Sequence, residues 1–335
     1  VDAFAAQPEL KKYMKKYEEG NRDKEFLDQY FVLKDKSGLD CSDVLLDYFA
    51  LVDDAHLLDS VNVPRIAKIT VFDKKLANRL VDAACAEAAN PTKDKKQSVA
   101  VNKAICTFLS ACVQKTARAD QEENFEEVLA LKDRLFKATG GKDSATAASL
   151  GGGNIYIPSE LLRLNYYSAK KKLDKFNQLF ISYMAELQKE YEETHKEKIA
   201  MLKAMETKLK EAKESGNEEE YKAAKKLNAM MFAFSSIDDY YTSTSMIENV
   251  ERYEDIYTGE KDAAYKDRVA GWYVFLHQLS PSAKTATYVA DKLLALDKKE
   301  LAKEVLTLGL KDGSSAAGVE EGDVKACQAK LDELK

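Results

Sequence analysis

The sequence is poor in residues that interrupt helices: its 335 residues include only 14 glycines and 5 prolines, too few for a chain that turns repeatedly between short strands. It also lacks the run of roughly 18 consecutive apolar residues that a membrane-spanning helix needs. The longest apolar runs are short, such as Met230-Met231-Phe232-Ala233-Phe234, so no membrane span is expected. Neither sign of charge dominates, since 51 Lys and Arg stand against 57 Asp and Glu for a net charge of −6. These charges are interspersed rather than gathered into a basic block, so an extended nucleic-acid-binding face is not supported. The cysteines, Cys41, Cys85, Cys106, Cys112 and Cys327, are odd in number and form no C-x-x-C pair, so neither a disulfide framework nor a redox dithiol is indicated.

What is abundant is helix-forming. The chain is 45% hydrophobic and 32% charged, and Ala, Leu, Lys and Glu dominate. Pro8-Glu9-Leu10 starts a helix with Leu10, Tyr13, Met14 and Tyr17 on one face, closed by Gly20. A second carries Phe26, Leu27, Tyr30 and Phe31 up to Gly38, and Ser42 caps a third with Val44, Leu45, Tyr48 and Phe49. Ile66 to Phe72 is β-branched, yet no second strand is available to pair with it, so helix or loop is expected there. Further helices are expected from Asp73, from Ser98, and from Asp120 with Glu123 as a capping box. Short helices on tight turns are the pattern of an α-solenoid.

Gly140-Gly141, the small residues Ser144 to Ser149 and Gly151-Gly152-Gly153 break this composition. The longest helix is expected to run from Ser159 towards Ala212, with Phe176, Phe180, Tyr183 and Leu187 at spacings of three and four, and Gly216 closes it. Asn217 with Glu220 opens the return helix, giving a projecting antiparallel hairpin. The expected fold is therefore all-α: TPR-like (tetratricopeptide-like) solenoid hairpins with one long hairpin in the second half. The segments are 1–138, an N-terminal helical-repeat region; 139–158, a linker; 159–237, the long hairpin; and 238–335, C-terminal TPR-like helices.

No complete catalytic or metal-binding motif is present, and neither a catalytic role nor a cofactor is expected. Gly141-Lys142-Asp143 departs from a phosphate loop at Phe136, where glycine is required, and at Asp143, where Ser or Thr is required. His56, His195 and His277 are scattered, and the Glu192/His195 pair has no counterpart with which to build a di-metal site. Ser236, Ser243 and Ser245 have no identifiable histidine partner. Most cysteines sit among Ala, Val and Leu, as buried inert thiols do. The 17 tyrosines are the most distinctive feature. Tyr166, Tyr167, Tyr240 and Tyr241, with the single Trp272, are the expected partner-binding residues, because Tyr and Trp offer broad contact area with a polar tip. The competing reading is that these aromatics fill interhelical grooves.

Tyr17-Glu18-Glu19-Gly20-Asn21-Arg22-Asp23-Lys24-Glu25-Phe26-Leu27 resembles the "YE-x-G-x-RD-x-EFL" helix junction that follows the thioredoxin domain in Bacteroidetes-type envelope proteins of the thioredoxin family. Val44 to Leu58 is similar to the next helix pair of those proteins, and Tyr273 to Gly313, with Leu293-Leu294-Ala295-Leu296 and Leu301-Ala302, to their tetratricopeptide-like end. The W-C-x-x-C motif is absent, so no redox residue carries over, and Ser159 to Phe234 stands as an insertion. The resemblance implies an accessory helical region of an exported protein. With the start at Val1 in place of an initiator Met, it leads to an expected periplasmic or exported location, a removed signal peptide or preceding domain, and a protein or peptide partner. An accessory role beside a thioredoxin-like domain and glycan binding through the tyrosines are the alternatives.

Overall fold

A computed structural model describes residues 8–139 and 158–335. The chain divides into two compact units between Tyr156 and Ile157. The expected linker at 139–158, and with it the Gly141-Lys142 step, lies almost wholly outside the described residues. The fold is all-α, and no strand occurs among the described residues.

The first unit contains α1 (Pro8–Glu18), α2 (Lys24–Lys36), α3 (Ser42–Ala50), a 3-10 turn (Asp54–His56), α4 (Val63–Ile66), α5 (Lys74–Ala89), α6 (Lys95–Arg118) and α7 (Glu122–Ala138). Gly20 sits at φ +99°, where the Asn21 N–H reaches the Lys16 carbonyl at 3.0 Å and the Gly20 N–H reaches the Tyr17 carbonyl at 3.0 Å. That pair of bonds closes the orphan carbonyls at the end of α1 and reverses the chain into α2. The segment after Ile66 forms no strand, and Ile66 and Ile69 are both fully buried.

Two expected helix starts shift. Asp94, not Ser98, opens α6, its carboxylate accepting from the Gln97 N–H at 2.8 Å. Asp120 does not form a capping box with Glu123. It takes φ 53° and closes α6, with Gln121 N–H bonded to the Thr116 carbonyl at 2.9 Å. An aspartate tolerates the left-handed region better than most residues, so the chain turns without glycine.

The second unit contains α8 (Ser159–Ala169), α9 (Leu173–Glu214), α10 (Glu218–Ile256), α11 (Ala263–Leu279), α12 (Ala283–Ala295), α13 (Lys299–Gly313) and α14 (Glu321–Leu334). The helix expected from Ser159 to Ala212 is thus two helices. Lys171 stands at φ 54°, and Lys172 N–H bonds the Tyr167 carbonyl at 2.8 Å, the same closure that Gly20 makes. The expected boundary between 237 and 238 falls inside α10, which continues to Ile256. Its physical reason is a shared core: Phe176 and Phe180 of α9, Met246 and Val250 of α10, and Trp272 and Leu276 of α11 belong to one buried cluster. The hairpin and the C-terminal helices therefore form one packed body. Where α12 and α13 meet, a Cβ on Gly309 would lie 2.5 Å from the Ala286 Cβ, so only small residues allow that approach.

Beyond the ion pair of Lys198 with Asp239, the hairpin leaves this body. Among the described side chains from Met201 to Leu227, only Ala212 is buried.

Candidate functional site

The aromatic residues expected to bind a partner are not gathered into one site. Trp272 is 7% exposed and packs edge-on to Phe180 and to Tyr253, each at 5.2 Å between ring centroids. Tyr166 is buried, its hydroxyl accepting from Lys172 Nζ at 3.0 Å, while Tyr167 packs against the central cluster. Of these three, Trp272 and Tyr166 are buried and Tyr167 is half-buried. Tyr240 and Tyr241 are the exposed pair, at 38% and 49%, edge to face at 5.6 Å on α10.

Several groups able to act as nucleophiles or bases are buried or bonded to neighbours. Cys41, Cys106, Cys112 and Cys327 are buried thiols and Cys85 is half-buried. Burial pushes the Cys112 thiol up to about 12 and the Cys41 thiol up to about 11, far from the thiolate form. His277 is fully buried. Its Nε2 lies 3.3 Å from the Ser282 N–H, Nδ1 has no partner, and burial holds its pKa below the usual histidine value. Ser243 donates to the Leu276 carbonyl at 2.7 Å. His195 stacks on Tyr191 at 4.4 Å, and His56 pairs with Asp59 at 2.9 Å on the surface. Among the described residues, no cluster of His, Cys, Asp and Glu is placed to hold a metal ion. No helix there is long and apolar enough to cross a membrane.

A concave feature occurs in the first unit, as a shallow groove lined by Lys24, Glu25, Asp28 and Tyr48. The corner between α1 and α2 builds one end of it. Arg22 Nη1 donates to the Tyr17 carbonyl at 2.6 Å, its guanidinium lies 3.7 Å from the Tyr17 ring centre, and its Nε pairs with Asp47 of α3 at 3.0 Å. The Tyr17 hydroxyl donates to the same Asp47 carboxylate, so α1, α2 and α3 are tied at one point. Burial, and then that carboxylate, raise the Tyr17 pKa. The residues that carry the sequence resemblance thus have a mechanical job in this corner.

Tyr48 forms the wall on the α3 side, with its hydroxyl donating to Asn62 Oδ1 at 2.8 Å. Behind it lies Arg65 of α4, 7% exposed, with its guanidinium carbon 4.8 Å from the ring centres of both Phe31 and Tyr48. Arg65 Nη2 pairs with Asp28 at 2.5 Å, while Nη1 is buried without an acceptor. Lys24 Nζ stands 6.0 Å from the centre of the same Tyr48 ring. Lys24 and Arg65 each lie within about 6 Å of the Tyr48 ring centre, and Glu25 and Asp28 line the groove beside Lys24 and Tyr48.

No protein-family model matches the chain, and neither the curated proteins nor the solved structures contain a match. The groove escapes the sequence reading because its lining comes from two helices, α2 and α3, and the residue behind it from a third, α4. Its one local signal is Arg65, a charged residue inside the apolar stretch Val63-Pro64-Arg65-Ile66, and a buried arginine is uncommon without a purpose for its donors.

Proposed function

We propose that this protein is a non-catalytic helical-repeat module that binds a protein or peptide partner in the bacterial cell envelope. The observation that carries the reading is the outer half of the α9–α10 hairpin. From Lys198 to Glu214 it extends about 25 Å at the helical rise per residue, with Ala212 the single buried side chain described between Met201 and Leu227. An extension that buries so little of itself adds little to its own fold, so its length is accounted for by contact with another molecule. The TPR-like character belongs to this proposal, supported by the short-turn succession α11 to α14 and the close α12–α13 contact at Gly309 and Ala286. The inert settings of the thiols and of His277 support a non-catalytic role.

The test is photo-cross-linking of the full chain from Met201, Leu227 and Tyr241, all exposed, in cell-envelope extract. The expected result is a saturable cross-link to one defined protein, competed by the unlabelled chain and reproduced with that protein purified. No competed cross-link from any of the three positions overturns the reading. The second reading, an accessory region of a thiol–disulfide protein, is favoured by the α1–α2 corner, whose Tyr17, Gly20 and Arg22 all contribute to it. It predicts that the intact native polypeptide carries a W-C-x-x-C domain, which mass spectrometry of that polypeptide checks.

A further inference from the structure

We propose that the corner between α8 and α9 is a docking point for an acidic segment of the bound partner, held by Lys170, Lys171, Lys172 and Lys175. The inference rests on the partner-binding reading and names the chemistry of one contact. Four lysines and a single aspartate lie within residues 170–175, a local exception to the mixing of charges in a chain whose net charge is −6. Lys171 and Lys175 are exposed, and Lys170 and Lys172 are half-buried. Like charges this close repel one another, and a ligand of opposite sign relieves the repulsion.

The corner keeps these lysines against two backbone preferences. Lys171 stands at φ 54°, a region that Gly20, Gly38, Gly216 and Gly318 take at other turns. Among the described residues, the others besides glycine found there are Asp120 and Asp297, whose short polar side chains suit it as a lysine does not. Lys172 then precedes α9 with no capping bond, and Lys175 lies in its first turn. Cations at that end oppose the helix dipole, whereas Lys170, at the end of α8, has the favourable place. Residues that together break local rules, with no gain to the fold, point to selection for another purpose.

Two tyrosines hold the charges in place, an observation independent of the turn. Lys172 Nζ donates to the Tyr166 hydroxyl at 3.0 Å and lies 4.7 Å from that ring's centre, and Lys175 Nζ lies 5.8 Å from the centre of the Tyr167 ring. A cation already placed over a ring loses less conformational freedom on binding. Leu173, 42% exposed, stands between Lys172 and Lys175 in the chain, so the corner offers an apolar contact beside its charges. Residues 170–175 make too short a stretch to follow a polynucleotide backbone. An anionic bilayer would bring the rest of an acidic chain, net −6, against a surface of its own sign. A peptide with a short run of Asp or Glu around an apolar residue touches the corner alone, and that is the ligand class.

The experiment is a nuclear magnetic resonance titration of the full chain, following the amides of Lys170 to Phe176. The probes are acetyl-Glu-Glu-Leu-Glu-Glu-amide, its Gln analogue, phosphatidylserine–phosphatidylcholine vesicles and oligothymidine. The expected result is shifts concentrated at the corner with the Glu peptide, absent with the Gln peptide and weakening from about 50 to about 250 mM salt. Lys171→Asn keeps the left-handed turn without the charge and should weaken binding about threefold, and adding Lys175→Gln should bring the loss to about tenfold. Lys171→Arg, which keeps the charge, should bind as the native chain does. Equal binding of the Gln peptide, stronger binding of vesicles or oligothymidine at these amides, or unchanged affinity in the double variant overturns the proposal. Should the Glu peptide fail while the competed cross-links from the hairpin persist, this site falls and the partner-binding reading stands. Should the cross-links fail while the peptide shifts remain, the reverse holds.

Discussion

The inner and outer halves of the α9–α10 hairpin belong to the same two helices and are held by different forces. In the inner half Phe176, Phe180, Tyr183 and Met184 of α9 face Met246, Ile247, Val250 and Tyr253 of α10 in one buried cluster. In the outer half Met205, Leu209, Tyr221 and Ala224 are only half-buried and Ala212 alone is buried among the described side chains, and the polar contacts are local: the Asn217 side chain accepts from the Glu220 N–H at 3.2 Å, and Lys222 pairs with Glu218 at 3.4 Å one turn away. Such pairs contribute only about 0.2–0.5 kcal/mol each. Helicity in the inner half follows from tertiary burial, and in the outer half from propensity, a cap and the anchor that the inner half provides. A stretch kept helical with most of its described side chains in water is free to bury them elsewhere, which is what the proposed docking arm requires.

The sharpest way to break this contrast is to cut into the inner half. Phe180 is fully buried, stacked with Phe176 at 5.9 Å and edge-on to Trp272 at 5.2 Å. Phe180→Ala removes a ring from a site with little room to collapse and should cost about 3–5 kcal/mol in urea unfolding. A loss below about 1 kcal/mol would show that the inner half, too, stands on local terms.

A smaller effect, confined to mild acid, should separate the body from the arm by pH. Burial lowers the pKa of His277, so the folded unit resists protonating it, whereas the unfolded chain takes up that proton near the ordinary value of about 6.5. Between those two values the unfolded state binds more protons, so stability rises with pH; the contribution is complete above about 6.5 and is lost as pH falls below it. Urea midpoints measured from about pH 7 to pH 5 should decline more steeply for the native protein than for His277→Gln. Parallel curves would sink the idea.

The junction that starts the inner half also separates what was legible in the sequence from what was not. Gly20 and Gly38 announce their turns because glycine carries no penalty at positive φ, and Asp73 and Asn217 announce helix starts because their side chains accept from the third residue on. Asp120, Lys171 and Asp297 make the same left-handed closure without glycine, and nothing in Lys170-Lys171-Lys172 signals a break. There the core imposes the turn on the sequence. The continuation of α10 through residue 237 was hidden for the opposite reason, since no breaker stands there and the inner cluster extends the helix. Among the aromatics, periodicity alone could not sort the buried Trp272 and Tyr166 from the exposed Tyr240 and Tyr241. The groove was illegible because Lys24, Tyr48 and Arg65 meet only once three helices have packed. Lys171 gives this a test: Lys171→Gly should stabilise the second unit by about 1 kcal/mol, since it removes a left-handed strain imposed by packing. A destabilisation would mean that the lysine side chain has a role of its own there.

The smallest expected change lies in the arm, and its smallness is the informative part. Leu227 is 59% exposed and Met201 is 40% exposed, so truncating either to alanine removes few contacts within the chain and trades one strong helix former for a better one. Leu227→Ala and Met201→Ala should each shift the unfolding free energy by less than about 0.5 kcal/mol. The same substitutions should weaken the competed cross-link to the partner, because apolar area left in water by the free chain is the area an interface removes from it. A large loss of stability in either variant would show that the arm is packed against its own chain and would remove the reason for assigning it to a partner.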